Sequence, residues 1–441
     1  MVRKTLAGAI PLAICATLAG AAPDLPAPLT EADFPPVDAD EAALGRLLFW
    51  DPILSGNRNI SCGTCHHPRF ATGDGLSLGL GEGGQGLGPD RVSDPDNPPE
   101  QLIPRNAPPL FNMSARQVTA MFADGRIEVD PDKPSGLRTP MAEEMVAGFD
   151  SLLSAQTMFP VLSQDEMAGH YSENEVAQAV RQGFITGPDG AWDLLSRRVA
   201  AIPDYQARFA AVYPEIAAGR PIGFTDISNA IAAFVAEEWR SDTAPFDAVL
   251  RGEATLQGAA ARGAALFYGD AGCAACHSGP LLSDFDFHAM GQPQLGPGKA
   301  ARFERHARDE GRMRVTGRPD DAYAFRTPPL RNVAETGPWG HAGAYPDLGA
   351  FVAQHVDPTG TGTYARRVIL PETPLADAVW RVLDDPEETA AIAAAASAGR
   401  PLDPAQIDDI LAFLDTLTDP QALEGRLGIP ETVPSGLPVD R

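Results

Sequence analysis

Residues 62–66 read Cys-Gly-Thr-Cys-His, and residues 273–277 read Cys-Ala-Ala-Cys-His. Two thiols one helical turn apart lie on the same side of the backbone, where each can bond one edge of a porphyrin. The next histidine then directs its imidazole at the iron. A redox dithiol or a zinc site also uses Cys-x-x-Cys, but neither accounts for both histidines. Each stretch therefore predicts a covalent haem c, one held by Cys62 and Cys65 with His66 as axial ligand, the other by Cys273, Cys276 and His277.

Residues 1–21 have the pattern of a secretory signal peptide. A basic pair at residues 3–4 precedes an apolar run over residues 6–18, and residues 19–21 offer a small-residue cleavage site. The run is too short to span a bilayer. Cys15 lies inside it, which leaves a lipoprotein anchor open as the alternative. The sequence therefore predicts a mature protein in the periplasm, the compartment that haem attachment requires, with no membrane span.

Composition limits the size and the partners of the protein. A chain of 441 residues that is 44% hydrophobic can form two or three cored domains, and 42 prolines with 43 glycines indicate long ordered loops. The formal charge of −25 argues against nucleic acid and anionic membranes as partners. The acidity serves solubility, or it provides a docking face for a basic redox protein.

The chain contains two related halves. Gly-x-x-Leu-Phe precedes each haem motif, at residues 45–49 and 263–267, which indicates duplication of a cytochrome c-like unit. Helical spacing of apolar residues recurs along the chain, and Asp403 is placed as the N-cap of a late helix. Alternation long enough for a sheet is absent. The predicted fold is mainly α, with a haem domain over residues 22–222, a second over residues 223–441, long loops, and a C-terminal segment that can pack back on the first domain.

Several ordered stretches resemble the bacterial diheme cytochrome c peroxidases and the related MauG enzymes. In the first half these are residues 44–55 (LGRLLFWDPILS), 104–108 (PRNAP) and 122–126 (FADGR); in the second half they are residues 325–333 (FRTPPLRNV) and 336–341 (TGPWGH). The resemblance implies that hydrogen peroxide is reduced to water at the N-terminal haem. Electrons then arrive through the C-terminal haem from a small periplasmic cytochrome c or cupredoxin. In the MauG branch, the enzyme instead oxidises a protein side chain.

The resemblance also bears on the open side of the first haem. In the typical peroxidases, a histidine in the loop after the first haem motif caps the resting iron; here that loop contains Glu82 and no histidine. Because that loop offers no histidine to cap the iron, the resemblance implies that this haem is five-coordinate at rest, as in the MauG branch, with an axial position vacant for peroxide.

Cleavage of the peroxide O–O bond needs a group that moves a proton between its two oxygens. The family uses a glutamate in a Glu-Met pair after a proline, and Glu166-Met167 after Pro160 matches that pattern. Glu166 is therefore the predicted catalytic residue. The alternatives are His170 and a second Glu-Met pair, in which Glu144 precedes a methionine and follows Glu143.

The second haem is expected to have both axial positions filled. The family places a methionine or tyrosine at a fixed distance beyond the histidine of a Pro-x-x-His-x-Gly motif, which is residues 338–343 here. The counted position is His355, so the resemblance implies that His277 and His355 bind one iron. Replacing a thioether with imidazole should lower the reduction potential. His288 and His306 are the alternative ligands.

The family has a calcium ion and a tryptophan between the haems. Calcium prefers oxygen ligands, and the resemblance implies Asn106, Thr336 and Pro338. The tryptophan position is Ala123. Three alternatives remain open for the missing tryptophan. Another aromatic residue, such as Trp339, Phe122 or Tyr345, replaces it; electron transfer between the haems is slower; or the oxidising equivalents are stored differently.

Three functions remain open from the sequence. The leading one is a peroxidase that acts on hydrogen peroxide, the second is MauG-like oxidation of a partner protein, and the third is a diheme electron carrier without enzymatic activity. The family is often dimeric, so a homodimer is one expected assembly.

Overall fold

The computed structural model describes residues 25–299, 306–358 and 364–441. The expected signal peptide at residues 1–21, with Cys15, lies outside the described residues. No helix within the described ranges combines the length and apolar character needed to cross a membrane.

Helices dominate the described residues, as predicted. In chain order, the α-helices are α1 Ala39–Phe49, α2 Cys62–Cys65, α3 Leu152–Thr157, α4 Glu175–Gln182, α5 Ala191–Ala200, α6 Pro203–Val212, α7 Pro214–Ala217, α8 Phe224–Glu238, α9 Pro245–Leu250, α10 Gly258–Phe267, α11 Met313–Thr316, α12 Leu348–Val356, α13 Pro386–Ala395, α14 Pro404–Asp415 and α15 Pro420–Glu424. The N-cap predicted at Asp403 is confirmed, because its carboxylate accepts a hydrogen bond from the Gln406 N–H.

Strands are two or three residues long and form small antiparallel ribbons. They are β1 Gly84–Gln85, β2 Val92–Ser93, β3 Ala120–Met121, β4 Ile127–Val129, β5 Leu137–Arg138, β6 Phe287–His288 and β7 Phe325–Arg326. β1 pairs with β2, β4 lies between β3 and β5, and β6 pairs with β7. Most of the chain between helices is therefore irregular loop, in agreement with its proline and glycine content.

The duplicated Gly-x-x-Leu-Phe motif places one glycine at each main helix crossing. α1 packs on α8, and a Cβ added to Gly45 would lie 1.7 Å from the carbonyl oxygen of Ala230. α10 packs on α14, and a Cβ on Gly263 would lie 1.8 Å from the carbonyl oxygen of Asp409. Only glycine permits this backbone approach, so the repeated motif encodes the same helix contact in both halves.

The buried apolar residues form two large clusters that correspond to these crossings. The first contains Leu44 and Phe49 of α1 together with Ile227 and Phe234 of α8. The expected domain boundary between residues 222 and 223 lies just before α8, whose buried face belongs to this first cluster. The second cluster contains the facing residues of α10 and α14.

The C-terminal segment after α15 runs back over the first half. The buried carboxylate of Glu238 at the end of α8 accepts hydrogen bonds from the N–H groups of Arg426, Leu427 and Gly428. Farther on, Asp440 accepts a hydrogen bond from the Thr64 hydroxyl within α2. The end of the chain is therefore fixed against the first haem motif.

Candidate active site

The first haem motif forms the single turn of α2. The Thr64 hydroxyl accepts a hydrogen bond from the Ser61 N–H at 3.0 Å, which starts the turn. Directly after it, His66 Nδ1 lies 2.9 Å from the carbonyl oxygen of Thr72. Because a carbonyl only accepts, Nδ1 carries the proton and Nε2 keeps its lone pair. Burial lowers the pKa of His66, so the neutral imidazole is ready to bind a metal.

The second motif repeats this arrangement. His277 Nδ1 lies 3.0 Å from the carbonyl oxygen of Leu282, which again leaves Nε2 free. On α12, Leu348 and Val352 pack on the second cluster, and His355 follows on the same helix face. The ring centroids of His277 and His355 are 6.1 Å apart. Two imidazoles that each bind one metal at about 2 Å have centroids roughly 6 Å apart, so the spacing fits shared ligation.

The alternative ligands of the second haem lie next to carboxylates. His288 Nε2 lies 2.9 Å from Asp284 Oδ2, and His306 Nε2 lies 3.9 Å from Glu310 Oε1. Cys276, Asp284 and His288 have ligand atoms within 4.8 Å of one another. Because Cys276 belongs to the haem motif, that group has only two ligands left for another metal.

The described residues fit two haem groups. Cys62, Cys65, Cys273 and Cys276 are all free thiols. Arg326 lies between the halves, and its guanidinium donates to the carbonyl oxygens of Phe122 and Thr327, both at 3.2 Å. Burial lowers the pKa of Arg326 to about 10. A half-buried guanidinium whose hydrogen bonds among the described residues go to carbonyls fits the carboxylate edge of a porphyrin.

Glu166 lies on the π-helical turn Gln164–Ala168, directly against the loop that follows the first haem motif. The Glu82 N–H donates to the carbonyl oxygen of Asp165 at 3.0 Å. A Cβ on Gly81 would lie 2.8 Å from Cα of Glu166. Burial raises the pKa of the Cys65 thiol to about 12, and the negative charge of Glu166 is one of the further causes. The structure therefore brings Glu166 close to the first haem motif.

Glu166 lines a polar cavity of about 540 Å³. Its other lining side chains include Asp165, Arg181 and Lys299. Burial raises the pKa of Glu166, while the positive charges of Lys299 and Arg126 oppose that rise. A carboxyl group with a raised pKa exchanges protons more readily near neutral pH, as general acid–base work requires.

Glu82 is 1% exposed and is held by two asparagines. Its Oε1 accepts from the side-chain amides of Asn57 and Asn59, each at 2.8 Å. Its Oε2 is buried without a hydrogen-bond partner among the described residues. The loop that carries a capping histidine in the typical peroxidases thus presents a fixed carboxylate here.

The alternatives to Glu166 lie in less suitable places. Glu143 and Glu144 are exposed. His170 is buried, but its Nδ1 lies 3.1 Å from Glu173 Oε1, and its Nε2 accepts from the Glu100 N–H at 3.4 Å. Both ring nitrogens of His170 are therefore used within the protein.

The expected calcium ligands lie in segments that the structure joins. The Asn106 N–H donates to the carbonyl oxygen of His341 at 3.0 Å, which ties Asn106 to the motif that begins at Pro338. The Asn106 side-chain amide donates to the carbonyl oxygen of Leu76 at 2.6 Å, and this bond leaves its amide oxygen for a ligand. The Thr336 hydroxyl donates to the carbonyl oxygen of Val333 at 3.4 Å. Backbone carbonyls of Thr336 and Pro338 would complete an oxygen set.

Charged side chains join the two halves beside Ala123. Arg105 lies 2.8 Å from Asp124 and 2.7 Å from Asp309, and all three side chains are nearly buried. The Ala123 carbonyl oxygen accepts from the Arg326 N–H at 2.8 Å. This position therefore forms a backbone contact between halves where the family has an aromatic ring.

Two features of the site were not found from sequence. Lys299 reaches the cavity from a loop of the second half, and no local pattern connects it with Glu166. Asn57 and Asn59 hold Glu82, but asparagines before a haem motif carry no recognisable signal. Their roles depend on contacts between distant segments.

Known proteins resemble this chain along most of its length. Residues 39–255 match the family described as di-haem cytochrome c peroxidase. Methylamine utilization protein MauG of Methylorubrum extorquens is 31% identical over 325 residues, which cover 73% of this chain and 70% of that protein. The chain belongs to the di-haem cytochrome c peroxidase family. This di-haem peroxidase is therefore an oxidoreductase with two haem cofactors, and the family expected from its sequence is confirmed.

Other members support the same assignment. Cytochrome c551 peroxidase of Pseudomonas aeruginosa is 27% identical to this di-haem peroxidase over 400 residues, covering 90% of this chain and 84% of that protein. The crystal structure of a MauG-like protein associated with microbial copper homeostasis has a TM-score of 0.59 at 26% identity, covering 90% of this chain and 95% of the other. The diheme peroxidase BthA from Burkholderia thailandensis has a TM-score of 0.56 at 22% identity, with coverage of 92% and 91%. At 22% identity, the similarity to BthA shows a shared fold.

Proposed function

We propose that this di-haem peroxidase reduces hydrogen peroxide to water in the periplasm, with the N-terminal haem as the peroxide site and the C-terminal haem as the electron entry. The observation that carries the proposal is the half-buried Glu166 carboxyl, which lies against the Glu82 loop near Cys65 and lines a cavity. The His277–His355 pair supports the second assignment, because an iron with both axial positions filled suits electron transfer.

Each residue has a defined task in this proposal. Cys62 and Cys65 hold one porphyrin, and His66 supplies its axial nitrogen, oriented by the Thr72 carbonyl. Cys273, Cys276, His277 and His355 hold the other. The two haem domains are proposed to span residues 22–222 and 223–441. Calcium is proposed to bind between them, with Asn106, Thr336 and Pro338 as its ligands.

A haem held by Cys62, Cys65 and His66 would supply the iron that binds peroxide and the electrons for O–O cleavage. The Glu166 carboxylate takes the proton from the inner peroxide oxygen and returns it to the outer oxygen, which leaves as water. Lys299 and Arg126 favour the carboxylate form that accepts this proton. Each peroxide consumes two electrons and two protons in total and yields two waters. The donor is a small cytochrome c or cupredoxin.

Steady-state reduction of hydrogen peroxide by a reduced cytochrome c tests the role of Glu166. Glu166→Gln keeps the shape but removes the base, so we expect a fall in kcat of about 100-fold or more. Glu144→Gln is the matched control, because Glu144 also precedes a methionine but is exposed. A Glu166→Gln enzyme as fast as the wild type would remove the basis for this site.

MauG-like oxidation of a partner protein is the second candidate. It is favoured by the 31% identity to MauG and by Glu82 in place of a capping histidine. Ala123 disfavours it, because the family's aromatic relay is missing. Peroxide-driven change in the mass of a partner's side chains, without loss of peroxidase turnover, would support it.

A further inference from the structure

Two buried tryptophans of the first hydrophobic cluster have indole N–H groups without an acceptor among the described residues. Trp50 is 1% exposed and Trp239 is 0% exposed, and neither Nε1 atom has a hydrogen-bond partner among the described residues. Buried indole N–H groups usually find an acceptor. Trp192, in the same cluster, follows that rule, because its Nε1 donates to the carbonyl oxygen of Met158 at 2.9 Å.

One of these tryptophans lies directly on the first haem motif. A Cβ added to Gly63, between the two cysteines of that motif, would lie 2.3 Å from the Trp50 ring. The Trp50 ring also meets His67 edge to face, with centroids 5.5 Å apart. Trp50 is therefore in van der Waals contact with the turn that carries the first haem.

An aromatic stack connects Trp50 with Trp239. The Phe49 ring lies between them, with its centroid 5.6 Å from Trp50 and 5.2 Å from Trp239. Phe234 closes the stack, at 5.1 Å from Phe49 and 5.4 Å from Trp239. The α1–α8 crossing, where Gly45 allows close approach, keeps these rings together.

Hydrogen bonds continue from Trp239 toward the loop after the second haem motif. The Trp239 carbonyl oxygen accepts from the Asn112 N–H at 3.1 Å, and Asn112 exchanges two 2.7 Å bonds with the backbone of Ser241. The Ser241 hydroxyl accepts from Asn332 at 3.1 Å. The neighbouring Arg331 donates to the carbonyl oxygen of Pro280, in the loop after the second haem motif, at 2.7 Å.

We infer that Trp50 and Trp239 form a redox relay that passes oxidising equivalents from the first haem toward the second half. The inference rests on the proposed peroxide chemistry, since the peroxide-oxidised haem is the oxidant. Trp50 gives one electron to that haem and becomes a radical cation. Trp239 then donates an electron to the oxidised Trp50. The oxidised Trp239 is in turn reduced by an electron from the second haem, which the donor supplies.

The unpartnered N–H groups explain why these tryptophans suit a relay. An oxidised indole normally loses its Nε1 proton to an acceptor and becomes a weaker oxidant. Because neither Nε1 has an acceptor among the described residues, neither radical can pass its proton to a neighbouring side chain or carbonyl, which favours return of an electron without chemical change. The relay also supplies an aromatic route where Ala123 replaces the family's tryptophan, whereas Trp339 packs against the second cluster.

The test treats the holoprotein with hydrogen peroxide in the absence of donor. Organic radicals are followed by electron paramagnetic resonance, and oxidised side chains are mapped by peptide mass spectrometry. We expect a tryptophan radical in the wild type and oxidation products at Trp50 and Trp239. Trp50→Phe should weaken the signal severalfold. Trp239→Phe should prolong the Trp50 radical severalfold, because the oxidising equivalent has no next tryptophan.

Trp192→Phe is the control variant, since it removes a buried tryptophan outside the stack and should leave the radical unchanged. Haem content and Tm establish that each variant folds. If a variant does not fold, the oxidation products mapped in the wild type test the relay instead. Peroxide that changes the haem spectrum but leaves Trp50 and Trp239 unoxidised would overturn the relay alone. Peroxide that leaves both haems unchanged would overturn the relay and the proposed function together.

Discussion

The imidazoles of His277 and His355 face each other with ring centroids 6.1 Å apart and ring planes inclined by 49°. Burial lowers the pKa of His355 to about 4, and the neighbouring His277 adds to the effect. Both rings are therefore neutral near pH 7 and available to one metal ion. His355→Met should keep six-coordination and raise the reduction potential of the second haem, because a thioether favours ferrous iron.

Potentiometric titration followed by absorbance measures that change, and the potential of the first haem should stay constant. His288→Ala tests the alternative ligand, because His288 pairs with Asp284 and lies near Cys276 of the second haem motif, and this variant should leave both axial positions of the iron filled. An unchanged potential in His355→Met would mean that His355 does not bind the iron.

The cavity beside Glu166 should make peroxide reduction pH-dependent. Burial raises the pKa of Glu166, Asp165 adds to the rise, and Lys299 and Arg126 oppose it. The carboxylate is the form that accepts a proton, so the rate falls as pH drops through the pKa of Glu166. Lys299→Met removes an opposing charge, so this pKa rises further and the acid limb of the kcat profile moves to higher pH.

A pH–rate profile of the two enzymes measures that displacement. Lys133→Met is the matched control, because Lys133 is exposed and its partner, 3.6 Å away, is the exposed Glu143. Superimposable acid limbs in the wild type and Lys299→Met would contradict the electrostatic role of Lys299.

Some parts of this site could be predicted from sequence because they are local. The haem motifs place Cys62, Cys65 and His66 within one turn, whereas His355, which the resemblance to the family implies, stays a prediction. Lys299 could not be predicted, because it reaches Glu166 from a loop in the other half. The chain before Lys299 is tied to a later segment, because Gln294 and Asp309 exchange hydrogen bonds of 2.7 and 2.9 Å.

The fold likewise combines local features that the sequence predicts with long-range contacts that it does not. The helical spacing and the N-cap at Asp403 are properties of neighbouring residues, and both are confirmed. The glycines at 45 and 263 were recognised as a repeat, but their role at helix crossings depends on the backbone of a distant helix. The return of the C-terminal chain likewise depends on distant carboxylates, Glu238 at the end of α8 and Asp440 at Thr64.

The helix crossings should tolerate no methyl group. Gly45→Ala would place Cβ 1.7 Å from the Ala230 carbonyl oxygen, so α1 and α8 must separate. Overpacking of this kind costs about 1–3 kcal/mol, which should appear as a clear fall in Tm. Gly223→Ala is the control, because its nearest neighbours lie at 3.5 Å. Equal Tm values for the two variants would mean that the crossing is not tightly packed.

Arg105 should stabilise the contact between the halves in a pH-dependent way. Burial alone would raise the pKa of Asp309, but Arg105 holds it below its usual value. This stabilisation is present above the unfolded-state pKa of 3.8 and is lost as pH falls through the lower folded-state value. Arg105→Met leaves Asp124 and Asp309 buried without their shared partner, at a cost of about 3–5 kcal/mol near pH 7.

Thermal unfolding at several pH values measures this effect, and the loss of Tm in Arg105→Met should shrink in acid. Arg262→Met is the matched control, because Arg262 also pairs with an aspartate, Asp409, but its side chain is 64% exposed. Exposed ion pairs contribute little, so this variant should unfold close to the wild type. A loss of Tm that is independent of pH would point to lost packing of the Arg105 stem instead.

Glu82 should decide whether the first haem needs activation. Its Oε1 is fixed by Asn57 and Asn59, and its loop lies directly on the Glu166 turn. Glu82→His introduces an imidazole where the typical peroxidases carry their capping ligand, so we expect the high-spin ferric signal of the resting enzyme to become low-spin. Peroxidase activity should then fall in the oxidised enzyme and recover after reduction of the second haem. Glu82→Gln, which keeps the side-chain shape and an acceptor for both asparagines, should retain the high-spin signal, and a low-spin spectrum in that variant would show that another side chain caps the iron.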